Sequence, residues 1–191
     1  MTTIEKIKEL ITFYNDYPKK GIIFIDVLPV LGNSETFTAL VHELNEAVSS
    51  PNIAAPEARG FLFGAPLLLL GKVKNFIAFR KNGKLPAAEN DLKKVSIMKE
   101  YGDDSLYYRV SDIEHARPTG GDIEITVFDD ILATGGTAEG MAKHLNGMTV
   151  EGPEGKLHVK VKEFVFLAEI SELKGKERLE KIAPVKVLIS Y

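Results

Sequence analysis

The chain has 191 residues, 45% of them hydrophobic and 27% charged, with a net charge of −3. These values suit one α/β domain with a sizeable core and a small attached flap; the net acidity supplies no basic field for nucleic acid. Cysteine is absent, which excludes disulfides and thiolate metal sites and is compatible with a reducing cytosol.

Residues Met1 to Leu10 mix Glu and Lys with apolar side chains, unlike a signal peptide. The longest apolar run, Ala65 to Leu70, is too short to span a bilayer. A soluble, cytoplasmic protein is expected. Ile4, Ile7, Leu10, Ile11 and Tyr14 recur at helical spacing and predict an opening amphipathic helix. Tyr17-Pro18-Lys19-Lys20-Gly21 breaks it, and Ile22 to Ile25 is extended. Ser34 is the expected N-cap of a helix whose face is Phe37, Leu40, Val41, Leu44 and Val48, stopped by Pro51.

Ile53 to Ala55 predicts a short buried strand and Gly60 to Leu70 a helix apolar on nearly all sides. Such continuous apolarity predicts a parallel sheet covered on both faces. Phe76 to Phe79 is the next strand. From Arg80 to Val110 charged, Gly and Pro residues dominate, with Tyr101, Tyr107 and Tyr108 interleaved. This reads as an extended lid, partly a hairpin, since long irregular segments in compact domains are usually functional. Further strands are expected at Ile123 to Phe128 and Val159 to Ala168, separated by a Thr137 to Leu145 helix and a loop or hairpin tip at Gly147 to Lys156. A final helix over Glu172 to Ile182 and a final strand over Val185 to Ile189 complete a mainly parallel α/β sheet flanked by helices.

The most informative segment runs from Ile123 to Thr137. An apolar strand ends in Asp129 and Asp130, and Ile131-Leu132-Ala133-Thr134-Gly135-Gly136-Thr137 then turns into a helix. The amides of Ala133 to Thr137 can converge on a phosphate, helped by the helix dipole, and only small residues permit that approach. The two acids stand where sugar hydroxyls need acceptors. The plain alternative is a βα turn capped by Thr137. No G-x-x-x-x-G-K-[ST] or G-x-G-x-x-G phosphate loop occurs in the chain. Upstream, Glu57-Ala58-Arg59-Gly60 also follows a short strand and opens a helix, and Arg59 suits bidentate phosphate contact. Arg80-Lys81-Asn82-Gly83-Lys84 puts three cations on the turn that starts the lid; alone, such a run reads as a solvated turn. His42, His115, His144 and His158 lack metal-ligand spacing.

The Asp129 to Thr137 segment resembles the phosphoribosyl-diphosphate-binding motif of type I phosphoribosyltransferases. Pro18 to Asp26, Ala58 to Gly64, Arg80 to Pro86, Glu100-Tyr101-Gly102 and Ser171 to Gly175 resemble, in order along the chain, the adenine-specific branch of that family. The resemblance implies the type I fold with a hood over residues 1–30 and a lid over 80–110 within one 1–191 domain. It implies transfer of ribose 5-phosphate from phosphoribosyl diphosphate to adenine, giving AMP and pyrophosphate, with magnesium held mostly through substrate oxygens and waters. By motif, Asp129 and Asp130 hold the ribose hydroxyls, and Ala133, Thr134, Gly135, Gly136 and Thr137 cradle the 5-phosphate. Arg59, Arg80, Lys81 and Lys84 face pyrophosphate. Glu100 moves the purine proton, and Tyr101 seals the site. The base lies between Phe24 and Ile131, its edge read by backbone groups of Ile23 and Ile25.

The chain departs from the family pattern at Ile25, where many relatives carry Arg, and at Glu57-Ala58, where an acid–Ser pair is usual and the resemblance implies a cis peptide. The Leu85 to Glu100 and Gly147 to Lys156 segments look expanded. A homodimer is implied, with no nucleic-acid or membrane partner. Two other functions fit the same motifs: a phosphoribosyltransferase for xanthine or another 6-oxopurine, and a non-catalytic regulator that binds phosphoribosyl diphosphate. Against the first, no Lys that could hold O6 appears around Phe24 or Ile131; against the second, the chain is acidic and Met1 to Tyr14 is too short for a DNA-binding domain.

Overall fold

A computed structural model of the chain describes residues 2–99, 102–152 and 155–191. Five parallel strands form its centre: β3 (Asn52–Pro56), β4 (Asn75–Lys81), β7 (Asp122–Leu132), β9 (Gly155–Glu169) and β10 (Val185–Ser190). Their spatial order is β10-β9-β7-β3-β4, extended past β4 by the antiparallel strands β6 (Gly102–Arg109) and β5 (Leu92–Lys99). A separate hairpin pairs β1 (Thr12–Asn15) with β2 (Ile23–Asp26). The short strand β8 (Thr149–Gly152) pairs antiparallel with the start of β9, so the expanded segment expected at Gly147 to Lys156 is a hairpin arm, its Pro153 and Glu154 lying outside the described residues.

The apolar runs explain the layering. Neighbouring residues of a strand face opposite sides, and each side here has its own core. Val127, Phe164 and Phe166 join Ile77, Met141 and Leu145 under α5 (Gly136–Leu145). Phe128, Val165 and Leu167 join Leu40, Leu44, Phe63 and Leu67 under α2 (Ser34–Ala47) and α3 (Arg59–Gly64). Both faces are covered, as the continuous apolarity required.

Several boundaries differ from expectation. The opening helix α1 (Thr3–Leu10) is started by a reciprocal Thr2–Glu5 capping box but stops before Tyr14. Pairing of Tyr14 with Phe24 across the β1–β2 hairpin wins over local helical periodicity. Helix α2 is capped by Asn33, whose side chain accepts from the Thr36 amide, rather than by Ser34. The predicted Gly60 to Leu70 helix divides into α3 and a 3-10 stretch over Ala65–Leu70 containing Pro66, which offers no amide to an α ladder. Its apolarity does not mean burial all round: Phe63 and Leu67 are buried, but Leu69 is 88% exposed. The predicted final helix shrinks to a 3-10 turn at Ser171–Leu173 and α6 (Gly175–Leu179), because Lys174 adopts a left-handed conformation between them.

Strands β5 and β6, the latter leading into the short helix α4 (Val110–Glu114), are rooted on α5. Tyr108 of β6 is fully buried, stacks on Phe79 at 4.8 Å, and puts its hydroxyl 2.9 Å from His144 Nε2 and 2.8 Å from Met148 Sδ. Burial, reinforced by the charge of Lys93, lowers the His144 pKa and favours the neutral ring. Removing one hydrogen-bonding group there, with Tyr108→Phe, should cost about 1 kcal/mol in urea unfolding at neutral pH. Because the native pKa of His144 is depressed, the unfolded chain takes up that proton first as pH falls below about 6.5. Stability should therefore fall between pH 7 and 5.5, with a shallower slope in His144→Gln; equal slopes would remove His144 from the account.

Candidate active site

Strands β3, β4, β7 and β9 run parallel, so the loops that follow them share one edge of the sheet, the edge where open α/β folds bind ligands. The acidic pair comes from β7. The strand does not end at Phe128 but continues through both acids to Leu132, held by β9 on one side. Asp130 is buried, while Asp129 is partly open to a recess of about 200 Å³ lined by Pro56, Glu57, Lys81, Ile97, Leu106, Asp129 and Thr137. Members of three predicted groups, Asp129, Lys81 and Thr137, thus meet in one cavity.

The small-residue turn follows directly. Gly135 has φ +77°, and α5 starts at Gly136, one residue before the expected Thr137. The amides of that first turn have no acceptor within the helix. Gly60 is tightly packed: a Cβ there would stand 3.1 Å from Asp129 Oδ1 and 3.3 Å from Pro56 Cδ. The Glu57–Ala58 peptide before it is cis, in agreement with the expectation; Tyr17–Pro18 is cis as well.

Each cation has a definite place. Arg59 Nε lies 2.7 Å from Asp130 Oδ2, its Nη1 donates to the Ile25 carbonyl at 3.2 Å, and its guanidinium carbon sits 5.1 Å from the Phe24 ring centre. One residue therefore connects the acidic pair to the β2 segment expected to hold a base. Ile23 is exposed on β2, whereas the Ile25 side chain is buried in the core against which Ile131 packs. Arg80 Nε donates to Glu57 Oε2 at 2.7 Å, and the Lys81 amide donates to Glu57 Oε1 at 3.0 Å, which leaves the Lys81 side chain on the recess. Lys84 is exposed on the following turn, and its charge reaches Glu57. Glu100 and Tyr101 lie outside the described residues.

The sequence motifs assign no role to Glu57, which anchors Arg80 and the end of β4. Burial pushes its carboxyl up, but the hydrogen bonds from Arg80 and Lys81 outweigh that and hold it below the ordinary range. Its position one residue before the predicted Ala58-Arg59 turn was the available signal. The acidic pair behaves oppositely. Burial raises Asp129 well above the usual carboxylate range, and the charge of Asp130 adds to the rise; burial also raises Asp130, against the pull of Arg59. Among the described residues no group of three or more His, Cys, Asp or Glu could hold a metal.

No family model matches the sequence. Curated relatives do. The chain is 35% identical over 192 residues to the adenine phosphoribosyltransferase of Mycoplasma mobile, covering 100% of both chains. It is 38% identical over 182 residues to that of Thermoanaerobacter sp., covering 93% of this chain and 94% of the relative. The chain belongs to the adenine phosphoribosyltransferase family. Its fold is that family's too. The crystal structure of adenine phosphoribosyltransferase from Thermoanaerobacter pseudethanolicus matches with a TM-score of 0.81 at 37% identity, over 98% of this chain and 99% of that one. The Saccharomyces cerevisiae enzyme, crystallised with an imino-altritol bisphosphate and adenine, matches with a TM-score of 0.77 at 32% identity, over 97% and 98% of the two chains.

The raised pKa of Asp129 carries a stability cost with a definite sign. Ionising its carboxyl is harder in the folded chain than in the unfolded one, so stability present at acid pH is lost as pH rises and the group ionises. Asp129→Asn keeps an oxygen to accept from the Asp130 amide, a bond of 2.9 Å. At pH 7.5 the variant should be about 1 kcal/mol more stable, or roughly 2–4 °C in Tm, with the gain shrinking toward pH 4. A lower Tm at pH 7.5 would contradict this electrostatic picture.

Proposed function

We infer that the protein is a purine salvage enzyme that transfers the 5-phosphoribosyl group from phosphoribosyl diphosphate to adenine, giving AMP and pyrophosphate. The observation that carries this is the end of β7: two carboxylates, a left-handed Gly135 turn and the first turn of α5, all beside a recess that Lys81 also lines. Family membership supplies the acceptor.

In this reading Asp129 and Asp130 accept from the ribose hydroxyls, and the amides of Ala133, Thr134, Gly135, Gly136 and Thr137 donate to the 5-phosphate. Lys81 and Lys84 face pyrophosphate, with Arg59 and Arg80 joining them if they leave Asp130 and Glu57. The base stacks on Phe24, with Ile131 opposite and the backbone of Ile23 and Ile25 at its edge. Because Arg59 sits over Phe24, stacking uses the other ring face or displaces that side chain. Residues 1–30 serve as the hood and 80–110 as the lid.

The bond between C1 of the ribose and the pyrophosphate oxygen breaks, its electron pair leaving with pyrophosphate. N9 of adenine bonds to C1, and its proton passes to Glu100. C1 is oxocarbenium-like midway, so holding both partners in line and screening the departing charge supply the acceleration. Glu100, ordinarily near pKa 4.3, works as a base once lid closure removes water from it, with Tyr101 completing the seal.

The donor set fits magnesium held through substrate. Asp129 and Asp130 supply hard oxygens but no cage, and this ion keeps waters and phosphate oxygens beside one or two carboxylates. When bound, it neutralises pyrophosphate charge. A homodimer is part of the proposal: Leu62, Leu68 and Leu69 expose apolar surface that a second copy would cover. A cytoplasmic location is likewise proposed; among the described residues no helix is long and apolar enough to cross a membrane.

A purine panel tests the function. With magnesium, pyrophosphate should be released with adenine but not with hypoxanthine, guanine, xanthine or orotate; turnover with a 6-oxopurine and none with adenine would overturn the assignment. Glu100→Ala should lower turnover by about 10²–10⁴, and near-normal turnover would remove Glu100 from proton transfer.

A further inference from the structure

The Ser171 to Gly175 segment resembles the family, yet nothing in the proposed chemistry uses it. The structure brings it against the phosphate turn. A Cβ on Gly175 would fall inside the van der Waals envelope of the Ala133 carbonyl oxygen and 2.8 Å from Leu132 Cδ1. The contact is reciprocal, since a Cβ on Gly135 would meet the Gly175 carbonyl oxygen at 3.2 Å and Leu179 Cγ at 3.3 Å. The backbone of α6 is thus pressed onto the backbone of the turn, a fit that only glycine on both sides permits.

Three residues later the same short helix supplies a charge. Arg178 donates to Glu139 Oε2 through Nε at 2.9 Å and Nη2 at 2.5 Å, and its Nη1 makes a long contact, 3.5 Å, with the Thr134 carbonyl. Glu139 lies in the first turn of α5, the turn whose amides face the phosphate in the proposed reading. A carboxylate there would repel a phosphate dianion. Arg178, helped by Lys143 at 2.9 Å, offsets it.

We propose that Gly175 and Arg178 are positioning residues for the 5-phosphate of phosphoribosyl diphosphate: α6 buttresses the Ala133–Gly135 turn, and Arg178 screens Glu139 from the bound phosphate. This rests on the assignment of that turn to the 5-phosphate. It adds a second segment, 45 positions along the chain from Asp130 to Gly175, to a site otherwise made by one loop.

The test is a split of Michaelis constants. Arg178→Ala should raise KM for phosphoribosyl diphosphate about fivefold, the upper scale of one lost exposed charge interaction, while KM for adenine stays within about twofold. Arg178→Lys should recover part of the loss. Adding Glu139→Gln to Arg178→Ala should recover most of it, because the repelling charge is gone; a merely structural Arg178 would show no such rescue. Gly175→Ala should raise the same KM by displacing the turn; should it not fold, the Arg178 series decides alone, with Arg178→Gln replacing the Ala variant if needed. An unchanged KM for phosphoribosyl diphosphate in the Arg178 variants, or equal rises for both substrates, overturns the proposal. An amide-resolved titration with ribose 5-phosphate serves as the control: if it shifts Gly135 to Thr137 and the Arg178 variants keep their KM, only the buttress fails, and if those amides do not move, the phosphate assignment fails with it.

Discussion

The arrangement depends on one constraint: two adjacent carboxylates are carried to the end of a strand that is paired on both sides and covered on both faces. β7 lies between β3 and β9, and its apolar residues divide between the two cores. Continuing that strand through Asp129 and Asp130 buries Asp130 and leaves Asp129 only partly open, and away from bulk water ionisation is disfavoured and a counter-charge is needed. Arg59 provides it at 2.7 Å. That one guanidinium also binds the Ile25 carbonyl and covers Phe24, so the solution to a burial problem ties the acidic pair to β2. A ligand that brings hydroxyl donors and cations to the pair replaces the water it lost.

The same logic orders the rest of the edge. Glu57 holds the end of β4 through Arg80 and the Lys81 amide, and Tyr108 ties β5 and β6 to α5 through His144. This antiparallel extension is therefore attached at its root to the turn after β3 and to the helix after β7. Burial at functional positions lowers intrinsic stability, and the two hydrophobic cores offset that cost.

Much of this was legible in the amino acids. Strands β3, β7 and β9 could be read because each carries a local apolar stretch, residues 53–55, 127–128 and 164–168, bounded by polar residues or turns. The acidic pair and the Thr-Gly-Gly-Thr turn stood out because an apolar strand running into two carboxylates and then small residues is a local pattern of residue types. What could not be read depended on distant partners. Tyr14 looks helical until its pairing with Phe24 is known. Leu69 looks buried by its neighbours, yet points outward. The final helix looks continuous, but Lys174 turns left-handed so that Gly175 can approach Ala133, a contact spanning 42 positions that no local window contains. Glu57 and Arg178 are single charges among many in the sequence, and only their partners mark them.

The central claim is that the amides from Ala133 to Thr137 hold a sugar phosphate. The most direct measurement is an amide-resolved NMR titration of the isotopically labelled protein with ribose 5-phosphate, read beside a parallel titration with ribose. The account predicts large, saturable shifts centred on Gly135, Gly136 and Thr137 with the phosphorylated sugar and small ones without it. Saturation with those amides unmoved, and the shifts gathered on another edge of the sheet, would contradict it.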